Sequence, residues 1–87
     1  MSSKSMTSLS LWELTVGDSR EIVSVRSDIA DDAAQRLVDI GFRKGQQVSC
    51  LMQPGFGAPR VYAVAGATYS LDERTANFVR IAGEAGR

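Results

Sequence analysis

The sequence predicts a mainly β domain, a small barrel of about five strands with one short α-helix between the first two. Three observations carry this. The 87 residues are enough for one hydrophobic core and not for two. Short β-branched runs recur, each bounded by Gly, Pro or Asp turn signals. Only one stretch has the apolar spacing of a helix. Short strands leave edges unpaired, and closure into a barrel removes them.

In order along the chain, residues 1–10 (MSSKSMTSLS) are rich in Ser and Thr and read as a flexible N-terminal tail. They contain no apolar core of a secretory signal. Leu11, Leu14 and Val16 lead into a turn at Gly17-Asp18. Residues 21–25 (EIVSV) form the first strand. Asp28 is the expected cap of the helix, with Asp31 and Asp32 in its first turn. Ala30, Ala33, Ala34, Leu37 and Val38 form its buried face. Gly41 is the natural stop after Ile40. A turn at residues 42–45 leads to a strand at 47–52 (QVSCLM). Residues 54–59 (PGFGAP) are too rich in Pro and Gly for a regular element. Residues 60–64 and 68–71 form two strands joined by a turn at 65–67. Residues 72–77 form at most one helical turn. The last strand is 78–81, and 82–87 is a polar tail.

Composition excludes several kinds of chemistry. Ten Lys and Arg balance ten Asp and Glu, and there is no His. Imidazole-based acid–base catalysis is therefore impossible, and a Ser or Cys nucleophile has no His to activate it. The single cysteine, Cys50, allows no internal disulfide and no multi-cysteine zinc site. Cys50 is expected to be a buried, inert thiol, and with no signal segment it points to the cytoplasm. Asp28, Asp31 and Asp32 are the densest acidic group and read as a helix start in preference to an iron site. Balanced charge argues against nucleic acid as a partner. No apolar run is long enough for membrane insertion. No phosphate-binding loop or dinucleotide fingerprint occurs. The reading is a binder without catalysis, resident metal or cofactor.

Residues 35–48 read QRLVDIGFRKGQQV. Leu37, Ile40, Gly41, Phe42, Gly45 and Val48 resemble the signature of the FeoA family. Upstream, Leu11, Leu14, Gly17 and Ile22 match the family's opening. Downstream, Phe56, Gly57, Pro59, Gly66, Leu71, Ala76, Val79 and Ile81 fall at its usual intervals. The resemblance covers residues 11–81. Lys44 stands where the family often has proline, and Asp72 where it often has arginine. The resemblance implies an SH3-like barrel and a small cytoplasmic accessory of bacterial ferrous iron uptake. It also implies a partner, FeoB, a membrane protein with a GTP-binding domain. Two alternatives remain: an SH3-like module that docks Pro-rich peptides, or an accessory domain related to metal-dependent repressors.

Expected partner contacts are Phe56, Arg60, Tyr62, Tyr69, Arg43 and Lys44. Phe56 tips a Gly/Pro loop and either anchors a partner or folds back over the barrel mouth. Tyr62 and Tyr69 lie on neighbouring strands and pair across them. Arg43, Lys44 and Arg60 supply local positive charge. An exposed edge strand makes a homo-oligomer a further expectation.

Overall fold

The computed structural model describes residues 8–26 and 31–83. Six strands form one antiparallel sheet in the order β1-β6-β2-β3-β4-β5. They are β1 (Ser8–Ser10), β2 (Ser19–Val25), β3 (Gln47–Met52), β4 (Arg60–Val64), β5 (Ala67–Leu71) and β6 (Val79–Ala82). Helix α1 (Asp32–Ile40) joins β2 to β3, and the single turn α2 (Glu73–Ala76) joins β5 to β6. The mainly β class holds, with three corrections. The described residues form six strands instead of five. The helix follows the second strand, because Ser8–Ser10 is itself a strand. The sheet is open, since its outer strands β1 and β5 do not pair.

Ser8–Ser10 was expected within the N-terminal tail, because three residues reading Ser-Leu-Ser carry almost no strand signal. Its order comes from distant parts of the chain. It pairs with β6, and Arg80 donates to the Ser8 carbonyl at 2.9 Å. Ser10 then caps a 3₁₀ turn at Leu11–Glu13 in a reciprocal capping box with Glu13. That turn crosses from the β1 side to β4, where the Tyr62 hydroxyl donates to the Leu11 carbonyl at 3.4 Å. It therefore does part of the covering that strand closure would do in a full barrel. At the other end, Ala82, expected in the C-terminal tail, is the last residue of β6.

The helix begins at Asp31, whose carboxylate accepts the Ala33 N–H at 2.8 Å. Residues 27–30, with the expected cap Asp28, lie outside the described residues. Arg74 of α2 pairs with Asp31, and together with the cap it lowers the Asp31 pKa. Ala34 and Leu37 are fully buried, while Ala33, Val38 and Ile40 are half-buried.

The helix ends in a Schellman motif. Phe42 N–H bonds the Leu37 carbonyl at 2.9 Å and Gly41 N–H the Val38 carbonyl at 3.2 Å. The motif requires a left-handed residue, and Gly41 has φ +121°. A Cβ on Gly41 would also lie 3.1 Å from the Cβ of Ala65. Gly41→Ala should therefore cost about 2–3 kcal/mol, from strain and crowding together. Chemical denaturation of wild type and variant checks this, with an unchanged m-value expected.

The core gathers around Phe42, Tyr62, Leu11, Ile22, Leu37 and Ile81, all at most 1% exposed. Val48 and Ala76 of the signature series are also fully buried. Gly45, Pro59 and Gly66 are exposed and serve at turns or at the start of β4. The β4–β5 hairpin turns on Ala65 (φ 52°) and Gly66 (φ 82°), the positive-φ pair of a type I′ turn.

Candidate functional site

The exposed large apolar side chains among the described residues are Val16, Leu51, Met52 and Phe56. All four lie along one stretch: the end of β3, the segment beside it, and the arm that follows it. Local backbone features explain each. Cys50 pairs with Tyr62 and Met52 with Val61, so Leu51 is an extra residue in β3. Such a bulge re-aims side chains. Inside–outside alternation stops here, and Leu51 and Met52 are both exposed, at 45% and 56%. Val16 forms a parallel bridge with Cys50, beside the bulge.

Residues 53–59 (QPGFGAP) carry no charge and form the arm between β3 and β4. Ala58 N–H bonds the Gly55 carbonyl at 3.3 Å. This closes a turn with Phe56 at φ 63° and Gly57 at φ 73°. Positive φ suits glycine or asparagine, and for phenylalanine it costs about 1–2 kcal/mol. No packing offsets that cost, because Phe56 is fully exposed. Of the two alternatives the sequence left open for Phe56, folding back over the barrel does not occur.

The other expected contacts are placed differently. Tyr62 is a correction: it is 0% exposed. It points inward opposite Cys50 and cannot offer its ring to a partner. Burial pushes its pKa up to about 12. Tyr69 pairs with Tyr62 across β4 and β5 as expected. It is half-buried, packs on Phe42 at 5.8 Å between ring centroids, and donates to the Ile40 carbonyl at 3.2 Å. An aromatic groove built on both tyrosines is therefore not formed. Arg60 lies over the Trp12 ring at 3.9 Å and donates to the Trp12 carbonyl. Its Nε is buried without a hydrogen-bond partner among the described residues. This cation braces the 3₁₀ turn against β4.

Arg43 and Lys44 are exposed and line a groove of about 410 Å3 together with Val23, Ser24, Val25, Val38 and Phe42. Arg43 Nε donates to the Val38 carbonyl at 3.0 Å, which fixes its guanidinium at the end of α1. These two cations lie on a different connection from Phe56, so the six expected contacts do not form one patch. Sequence reasoning missed Val16, Leu51 and Met52. The signal was present, since residues 50–52 (CLM) place three apolar residues in succession where a half-buried strand should alternate.

The described residues hold no group of three or more acidic or thiol side chains placed to bind a metal ion. Cys50 is buried and free. Burial raises its pKa, which makes the thiol a poor nucleophile at neutral pH. Among the described residues no helix is long and apolar enough to cross a membrane.

No curated protein sequence matches the chain. Among solved structures, the chain is similar to FeoA of Stenotrophomonas maltophilia complexed with zinc. Identity is 31%, with 84% of this chain and 88% of that chain covered and a TM-score of 0.76. That protein is described as a prokaryotic SH3 domain protein and a proposed bacterial ferrous iron transport activating factor. A second structure, an iron uptake regulatory protein (FeoA), aligns at 22% identity and TM-score 0.73 over 87% of this chain and 97% of that one. The fold also matches part of a manganese-dependent transcriptional repressor. That alignment has 19% identity and TM-score 0.77, over 91% of this chain and 43% of the repressor. The FeoA domain matches residues 9–82, and the chain belongs to the FeoA family.

Proposed function

We propose that this protein is a cytoplasmic accessory of bacterial ferrous iron uptake, and that it acts by docking on the GTP-binding domain of a FeoB-like membrane transporter. Family membership supports the process. The observation that carries the docking mode is Phe56, an unpacked aromatic ring on a strained turn. Strain that the fold does not repay locally is a mark of functional positions. An exposed aromatic on the arm that follows the exposed Leu51 and Met52 has the composition of an interface anchor. The arm carries no charge, so recognition rests on an apolar cleft in the partner and little on long-range attraction.

The role is mechanical. Docking shifts the partner only if it favours one of the partner's states, such as one nucleotide state, over another. The test is calorimetric titration of the protein into the isolated GTP-binding domain, with GDP and with a non-hydrolysable GTP analogue. The expected result is saturable binding that differs between the two nucleotide states. In labelled protein, the shifted amides should concentrate at residues 51–58. Absence of binding in both states would overturn the reading.

A further inference from the structure

We infer that β5 is a self-association edge, through which two copies of this chain pair antiparallel about a two-fold axis at Tyr69. The inference is independent of the Phe56 arm. β5 ends the sheet, and among the described residues its partner strand is β4 alone. The type I′ turn at Ala65-Gly66 determines which backbone groups it uses. In a two-residue hairpin the pair flanking the turn, Val64 and Ala67, is hydrogen-bonded, and bonded and non-bonded pairs then alternate. Tyr69 and Leu71 therefore bond inward to β4. The N–H and C=O groups of Thr68 and Ser70 point outward, and among the described residues no backbone bond to another element reaches them.

Edge strands are commonly protected by a charge, a proline, a bulge or shortness. β5 (ATYSL) has none of these. It is five residues long and its register with β4 is regular over every pair. The opposite edge, β1, has three residues. The outward groups are also self-complementary. With Tyr69 on the two-fold axis, Thr68 of one copy faces Ser70 of the other, and the reverse holds by symmetry. Both are bonded pairs, each exchanging two N–H···O bonds. Shifting the axis to Thr68 or Ser70 leaves only one such pair within the strands. In the symmetric register the hydroxyls of Thr68 and Ser70 meet on the outer face, where both side chains are exposed. Ala67 faces Leu71, so no charge faces a like charge.

Pairing two five-residue edges buries less than the roughly 1,200 Å2 of a stable interface. The dimer is therefore weak, with a Kd of order 10⁻⁴ M. Sedimentation equilibrium from about 10 μM to about 1 mM should show the average mass rising from monomer towards dimer. Thr68→Lys combined with Ser70→Lys sets cation against cation in both symmetric pairs and should weaken association roughly tenfold. Thr68→Lys combined with Ser70→Glu sets opposite charges face to face and should restore it. Circular dichroism of each variant monitors folding, which both exposed positions should leave intact. A monomer throughout the range overturns the inference. So does a dimer indifferent to the double-lysine change, or one not restored by the mixed-charge pair.

Discussion

Phe56→Asn should yield a protein that is more stable and that binds the proposed partner at least about 30-fold more weakly. Asparagine tolerates positive φ because its short polar side chain bonds locally. The exchange relieves about 1 kcal/mol of backbone strain. It loses no packing, since the ring touches nothing in the folded protein. For a domain of this size 1 kcal/mol corresponds to a rise of about 4–8 °C in the thermal midpoint. Over the same change, affinity for the GTP-binding domain should fall at least about 30-fold, the loss of a 2 kcal/mol hot spot. Calorimetry of unfolding and of binding, on one preparation, measures both. Opposite signs are what separates an anchor from a structural residue. A variant that loses stability would mean that Phe56 packs in solution, and a variant that binds normally would remove it from the interface.

Tyr62→Ala should cost about 3–5 kcal/mol, as deletions of large buried rings do. Total stability for a chain of this length is about 5–13 kcal/mol, so the variant is marginal at best. Tyr62→Phe isolates the hydroxyl. Its bond to the Leu11 carbonyl is long, at 3.4 Å, so the cost at neutral pH should stay near or below about 1 kcal/mol. The two variants differ again in base. Burial holds the Tyr62 pKa up to about 12, while the unfolded chain ionises near the ordinary value of about 10. Between these values the unfolded state loses its proton first, so stability falls as pH rises from 10 to 12. Tyr62→Phe removes that component, and its stability should decline less over this window. Denaturant titrations at pH 7, 10 and 11 provide the comparison. A Tyr62→Ala variant within 1 kcal/mol of wild type would refute the core assignment.

Most of the fold was legible where one residue type answers one local requirement. Gly41 stops α1 because a Schellman motif needs a left-handed residue, and a glycine after an amphipathic run marks that need in the sequence. The β-branched runs of β2 and β4 declared themselves by composition. Ser8–Ser10 did not, because its order comes from β6 and Arg80, about seventy positions away. The candidate site divided the same way. Phe56 stood out among glycines and prolines. Tyr62 looked equivalent to Tyr69 because both are aromatic residues in short strands, and as direct cross-strand partners they share a face; what separates them is that β4 lies inside the sheet and β5 at its edge. One points into the core and the other sits half-buried at the sheet edge.

From the sequence alone follow the mainly β class, the absence of histidine, the uncharged arm and the resemblance to its family. Each depends on which residues are present or on neighbours within a few positions. The tertiary structure decided that the sheet is open, that Leu51 and Met52 turn outward together, and that Arg60 braces Trp12. It also decided that β5 ends the sheet, although the turn at Ala65-Gly66 sets locally which of its backbone groups face outward. These depend on strand register, and one residue of slip reverses which face a side chain takes. Register is settled by pairing between distant segments, which no local pattern encodes.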